Sequence, residues 1–204
     1  LGERLQEDHQ VEYLDRSGAD YQRDITQAFN LDHEFDVLIH TIGLAPGFKD
    51  EDEYRRIHVS GTRNLINCVE ADHVVYLSAL GAGEVDHSFC RTKKKAEDIV
   101  RDSEMIHTII RPSTVSGSGN KLLEIIRSLA FTRIFPDIST RTQPIAVEDL
   151  SDLMAEILEM EEPDHMVNAA GPLSMTIGEM ARELYHDEDY RCVLMPAPQV
   201  ILEW

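Results

Sequence analysis

Four short apolar runs, VEYL (11–14), DVLIHTIG (36–43), HVVYLSAL (73–80) and IHTIIRP (106–112), alternate with longer segments of helical period. This alternation constrains the fold more than any other feature of the chain, because a repeated strand–helix rhythm builds a parallel sheet covered by helices. DVLIH and HVVYL are apolar at consecutive positions, so neither offers a polar face to water, and both are expected as strands buried on two sides. Between strands, residues 53–70 set Tyr54, Ile57, Gly61, Leu65 and Cys68 on one helical face. Val147, Leu150, Leu153, Met154, Ile157 and Leu158 recur at three-four spacing and predict a helix over Val147–Leu158. Thr176 and Glu179 bracket a capping box ahead of TIGEMARELYH. After Gly119 the chain turns to helices and short strands, with IFPDISTRTQPIAV as a loop-rich crossing.

The 204 residues suit one domain of ordinary size with a small appendage. No apolar run approaches the roughly 20 residues a membrane span needs, and LGERLQEDHQ does not have the form of a signal peptide. The 38 Asp and Glu against 19 Lys and Arg give a net charge of −19, which repels nucleic acid and anionic membrane. Lysines occur only at positions 49, 93, 94, 95 and 121, and the acids are spread along the whole chain, a pattern that fits solvation in a salty cytoplasm. Cys68, Cys90 and Cys192 form no C-x-x-C pair, as expected of inert thiols in a reduced cytosol. The nine histidines make no H-x-x-x-H or H-E-x-x-H cluster, so no metal site is expected.

In an open sheet of parallel strands, ligands bind beyond the carboxyl ends of the strands. Those ends carry Asp15 and Arg16, then Gly43, Leu44 and Ala45, then Ser78, and finally Pro112, Ser113, Thr114 and Val115. Small and polar residues at successive strand ends suit a bound dinucleotide. The glycine-rich turn that such folds open with is represented only by Gly2, in what reads as its last position; the first strand and two glycines are missing, either from the protein or from the sequence before Leu1.

The ordered series HVSGTRNLI, VVYLSALGAG, FCRTKKKAEDIVRDSEMIHTIIRPSTVSGSG and QPIAVEDLSDLM resembles the atypical, extended-type short-chain dehydrogenase/reductases of the epimerase/dehydratase superfamily. Within it, the sequence is most similar to the nucleotide-binding accessory subunit of respiratory complex I and to NmrA-like NAD(P)-binding proteins. The resemblance implies an α/β fold, a Rossmann-type doubly wound parallel sheet over residues 1–118, with a small C-terminal α+β substrate region over 119–204. It implies NADP or NAD as cofactor and an unidentified small molecule as substrate. It leaves room for a protein partner, a homo-oligomer or peripheral association with a respiratory complex. Asp24 and Ile25 match the acidic-apolar pair that cradles adenine, Gly43 and Ala45 the segment under ribose and phosphate, and Ser78 the residue that orients substrate. Lys93 matches the lysine that holds the nicotinamide ribose, and Pro112 to Val115 match the stretch beside the nicotinamide. Asp15 would accept from a ribose 2′-hydroxyl and Arg16 would meet a 2′-phosphate, so both cofactors stay open, with a lean to NADP. Asp149 matches a family acid better suited to helix capping than to ligation.

Three departures qualify the resemblance. Phe89 stands where the family has the tyrosine that transfers a proton to or from the substrate oxygen, and a phenyl ring transfers none. His87 and Ser88 adjoin it but point elsewhere on a helix. His58 stands where the family usually has asparagine, and the glycine turn is incomplete. With Lys93 kept and the tyrosine lost, the sequence favours dinucleotide binding over the family's alcohol chemistry. His40, inside DVLIHTIG, is expected to be a satisfied core residue. Two other functions stay open: a non-enzymatic assembly or redox-sensing module, and a nucleotide-sugar epimerase or dehydratase. PAPQVILEW at the end of the sequence has the composition of a docking segment.

Overall fold

A computed structural model describes residues 2–47, 50–160 and 165–196. In chain order it runs α1 (Gly2–Leu5), β1 (Leu14–Asp15), β2 (Tyr21–Gln22), β3 (Glu34–His40), α2 (Glu51–Tyr54), a π-helical turn (Arg55–Gly61), α3 (Thr62–Cys68), β4 (Glu70–Leu77), α4 (Ser88–Arg101) and β5 (Ile106–Pro112). It continues through β6 (Val115–Ser116), α5 (Lys121–Ser128), β7 (Ile134–Asp137), β8 (Arg141–Thr142), β9 (Ile145–Ala146), α6 (Val147–Leu158), β10 (His165–Ala169), β11 (Met175–Thr176), α7 (Ile177–Asp187) and β12 (Val193–Pro196). The docking segment expected after Pro196 lies outside the described residues.

The chain divides into two compact units, residues 1–112 with 148–169, and residues 113–147 with 170–204. The first unit holds a four-stranded, all-parallel sheet in the order β10-β5-β4-β3, the α/β architecture expected from the strand–helix rhythm. Residues 148–169 belong to it although they lie beyond 118, because β10 completes the sheet beside β5. Side chains alternate across each strand. On one face Val74, Tyr76 and Ile109 pack with Ala96 and Val100 of α4. Val75 and Ile110, both fully buried, point to the other face, so that face is covered too. A separate cluster of Ile25, Leu31, Leu65 and Val69 fills the space around α3.

β5 coincides with IHTIIRP, whereas β4 starts three residues before HVVYLSAL and ends at Leu77; within them residues 73–76 and 108–112 are buried as expected. β3 is only half-buried, because it has one neighbour in the sheet and stands at its edge. The strand expected at 11–14 shrinks to the Leu14–Asp15 pairing with β2, since Tyr13 N–H donates to the Asp20 carboxylate and not to a ladder. The helix expected over 53–70 is interrupted by the π-helical turn and ends at Cys68. The extra residue in that turn carries His58 inward along with Tyr54, Gly61 and Leu65.

The second unit is built on α5 and α7, which enclose Leu123, Ile126, Phe135, Met180 and Tyr185, together with the short pairs β7-β12, β8-β11 and β6-β9. Its α7 begins with the capping box expected from Thr176 and Glu179, each side chain bonding the other's backbone N–H. Asp149 sits in the first turn of α6, exposed, where a carboxylate favours the helix dipole.

Candidate functional site

The carboxyl ends of β3 and β4 and the buried face of α4 converge on Lys93. Its side chain is only 5% exposed, and Nζ donates to the Leu77 carbonyl at 2.9 Å while lying 5.1 Å from the Tyr76 ring centroid. Gly43, in the loop after β3, is itself exposed. A Cβ there would fall 3.0 Å from Lys93 Nζ and 3.6 Å from His58 Nε2. The ammonium therefore lies one layer beneath the surface, under the only side-chain-free residue of that loop segment, Ile42–Leu44. An ammonium carries three donors, and within the described residues Leu77 takes one. Burial lowers the Lys93 pKa from 10.5 to about 8, partly opposed by the Glu97 carboxylate.

His58 fixes the loop above it. Leu44 N–H donates to Nε2 at 3.0 Å, so that nitrogen is the bare one and Nδ1 carries the proton, donated to Thr92 Oγ1 at 3.0 Å. Thr92 in turn bonds the Ser88 and Phe89 carbonyls of α4. Burial, then repulsion from Lys93, lowers the His58 pKa to about 3, and the ring stays neutral as this tautomer requires. His40, at the end of β3, is 1% exposed and meets Thr62 Oγ1 at 2.8 Å through Nε2. Its Nδ1 finds no hydrogen-bond partner among the described residues, and burial, with Lys93 and His58 adding, holds its pKa at about 3.

Ser78, expected to orient substrate, is buried and donates to Glu97 Oε1 at 2.6 Å. Glu97, fully buried on α4, also receives the Arg111 guanidinium in a two-pronged pair at 2.8 and 2.7 Å. The hydroxyl proton of Ser78 is thereby committed inside the protein. Glu97 and Arg111 did not emerge from the sequence. Their signal was there: Glu97 follows Lys93 by one helical turn on a face otherwise carrying Ala96 and Val100, and Arg111 ends an apolar strand, where a buried charge requires a partner.

Phe89 is 8% exposed and packs edge-on against Tyr54 and His58, beside Leu44 and Ala79. Tyr54 closes the cluster, its hydroxyl donating to the Ala45 and Gly47 carbonyls at 3.3 and 3.2 Å. His87 is the N-cap of α4, with Nδ1 accepting from Phe89 N–H.

The structure thus brings Gly43, Leu44, Ala45, Ser78, Phe89 and Lys93 together. The other expected residues stand apart from this cluster or in the second unit. Gly2 opens the four-residue α1, where a Cβ would overlap the Tyr13 ring. Asp15 and Arg16 are exposed at the end of β1, where Asp15 Oδ1 takes Arg16 N–H. Asp24 accepts from the backbone and hydroxyl of Thr26, which lowers its pKa, and Ile25 is buried in the core against Gly61. Pro112 ends β5 with its carbonyl bonded to Leu80 N–H. Ser113 and Thr114 belong to the second unit and share the Thr142 hydroxyl; Val115 pairs with Ile145 there.

No protein-family model matches the sequence, and no curated protein does. Solved structures share the fold. Pal from Bacillus thuringiensis superposes with a TM-score of 0.73 at 16% identity, over 98% of this chain and 83% of its own. UDP-glucuronic acid 4-epimerase from Bacillus cereus in complex with NAD gives 0.71 at 16% identity, over 87% of this chain and 67% of that one. Epimerase Mth375 from Methanothermobacter thermautotrophicus gives 0.68 at 16% identity over 80% of this chain, which spans 60% of Mth375. The likeness places the chain in the Rossmann-type α/β fold.

Proposed function

We propose that the chain is an NAD(P)-binding protein of the extended short-chain dehydrogenase/reductase type. The observation that carries the proposal is the Lys93 ammonium, buried beneath exposed Gly43 at the carboxyl ends of two parallel strands and hydrogen-bonded, among the described residues, only to the Leu77 carbonyl. A lysine held out of water in this way costs stability, and a polyhydroxylated ligand over Gly43 offers the missing acceptors. Gly43, Leu44 and Ala45 would lie against the ribose and phosphates, Lys93 would bond the nicotinamide ribose, Asp24 would meet adenine, and Asp15 or Arg16 would meet the other ribose. Asp15 favours NAD and Arg16 favours NADP. The dinucleotide supplies hydride chemistry; the protein supplies position and charge. The fold shared with an epimerase that binds NAD supports the reading.

Within this type, the absence of a hydroxyl at Phe89 favours a binding or redox-sensing module, akin to the complex I accessory subunit or NmrA-like proteins, over a standard alcohol dehydrogenase. A nucleotide-sugar epimerase is the rival favoured by the neighbours' fold. Titration of the full chain with NADPH and NADH in high salt, following nicotinamide fluorescence and thermal unfolding together, tests the proposal. Saturable binding with a concentration-dependent rise in Tm is expected; flat titrations with both cofactors refute it.

A further inference from the structure

We propose that residues 43–47, between β3 and α2, form a strap that lifts off Lys93 in the free protein, and that Tyr54 and His58 are the latch that holds it down. Among the described residues, no backbone group of this segment bonds another backbone group. Side chains from one direction hold it instead. Leu44 N–H donates to His58 Nε2 at 3.0 Å, and the Tyr54 hydroxyl lies between the Ala45 and Gly47 carbonyls at 3.3 and 3.2 Å. Both latch residues belong to the packed body of the first unit. Their rings are 5.4 Å apart, each stands edge-on to Phe89 of α4, and His58 Nδ1 is tied to Thr92. The latch therefore stays in place when the strap moves.

What lies under the strap opposes closure. A Cβ on Gly43 would fall 3.0 Å from Lys93 Nζ, and that ammonium has only the Leu77 carbonyl as a hydrogen-bond acceptor among the described residues. The Tyr76 ring is 5.1 Å from Nζ and 5.0 Å from the His40 ring. Neither the Tyr76 hydroxyl nor His40 Nδ1, both buried, finds a hydrogen-bond partner among the described residues. Polar and charged groups kept from water in this way destabilise the closed state. Lifting Gly43 admits water to Lys93. Two hydrogen-bonding side chains and the half-buried Leu44 side chain, packed with Tyr54, Phe89 and Cys90, act the other way. So few contacts oppose the opening that it lies well below global unfolding, in the range of the local openings of native proteins. The opening is a property of the free protein, and where the dinucleotide reading above holds it is the route by which the ribose reaches Lys93.

Native-state amide exchange of the full chain, followed by NMR without ligand, tests the strap, so its failure is separate from a failure to bind NADPH. Leu44 N–H is expected to exchange through an opening that low urea does not accelerate, because little surface is exposed, whereas the fully buried core residues Val75 and Ile109 respond to urea. The same urea dependence for all three overturns the proposal. Tyr54→Phe removes the hydroxyl and keeps the ring; it should speed Leu44 exchange about 5- to 30-fold. Acetylation of Lys93 by acetic anhydride, read by mass spectrometry of the Lys93 peptide, should speed up by the same factor. Ile109→Val, which weakens packing shared by the open and closed states, should speed core exchange and leave Leu44 and Lys93 unchanged. His58→Gln, which takes the catch from Leu44, supplies a second variant with the same expected direction. Unchanged Leu44 exchange in both latch variants overturns the proposal. So does faster Leu44 exchange without faster acetylation of Lys93, since the segment would then loosen without uncovering the ammonium.

Discussion

Acid should unfold this protein through two buried imidazoles. His40 and His58 are each 1% exposed and each has a pKa lowered from 6.5 to about 3, chiefly by burial. A group whose folded pKa is depressed contributes stability that is present above its unfolded value and lost as pH falls toward the folded one. The window here runs from about pH 6.5 down to about pH 3. Each unit of pH within it costs about 1.4 kcal/mol per ring, so at about pH 5 each ring should have forfeited about 2 kcal/mol and the pair about 4 kcal/mol. That is a large share of the roughly 5–15 kcal/mol that holds a typical domain. The 38 acids act in the opposite sense, since protonating some of them relieves the repulsion of a −19 chain. Urea unfolding should therefore be followed in about 1 M KCl, where the Debye length is about 3 Å and surface repulsion is screened. His58→Asn also disturbs the bonds to Leu44 and Thr92, but that cost does not depend on pH. The informative quantity is the drop in stability between about pH 7.5 and about pH 5, which the substitution should shrink by about 2 kcal/mol. An identical drop in wild type and variant would refute the assignment of a neutral, buried His58.

Other perturbations test the surrounding packing. Gly43→Ala places a methyl 3.0 Å from Lys93 Nζ; overpacking of this kind costs about 1–3 kcal/mol, to be seen as a lower urea midpoint together with weaker NADPH binding. Glu97→Gln leaves the Arg111 guanidinium, 9% exposed, facing a neutral amide, and breaking such a buried pair costs about 3–5 kcal/mol. Denaturation of that variant should show a midpoint loss well beyond that of an exposed control such as Glu51→Gln, whose ion pair with Arg91 lies in solvent.

The parts of the fold legible in the sequence are those where one local rule acts alone. β4 and β5 are built around the short apolar runs VVYL and II, α6 keeps a three-four period from Val147 to Leu158, and the start of α7 is fixed by a side-chain pair four positions long. Where two requirements meet, the pattern misleads. In residues 53–70 the period of an ordinary helix is satisfied by Tyr54, Ile57 and Gly61, yet the chain adopts a π-helical turn that buries His58 instead of leaving Ile57 as the main contact. A polar ring on that face gives no hydrophobic signal, and its partners, Leu44 N–H and Thr92, lie 14 and 34 residues away. The same holds for Glu97: its helix position was visible, but the pairing with Ser78 and Arg111 depends on which strand ends lie beneath α4. Lys93 was legible through the resemblance, whereas its lowered pKa comes from the three-dimensional surroundings.

The balance between the local charge at Lys93 and the charge of the whole chain gives a last expectation, one that concerns salt. A dinucleotide is an anion, and it must approach a protein of net charge −19 to reach a cluster where Lys93 and Arg111 outnumber Glu97 by one positive charge. The long-range term is repulsive and the contact term attractive. Raising the salt from about 0.1 to about 1 M shortens the Debye length from about 10 to about 3 Å. That removes most of the repulsion from the distant surface, while a hydrogen-bonded contact to a buried ammonium is screened far less. NADPH affinity should therefore rise with KCl, the reverse of ordinary anion binding to an exposed basic patch. Fluorescence titrations across that range in wild type and in Lys93→Arg, which keeps the charge, should both show the rise. A steady fall in affinity with salt would mean that exposed cations such as Arg16 dominate the encounter, and that the phosphates rather than the ribose beside Lys93 hold the ligand.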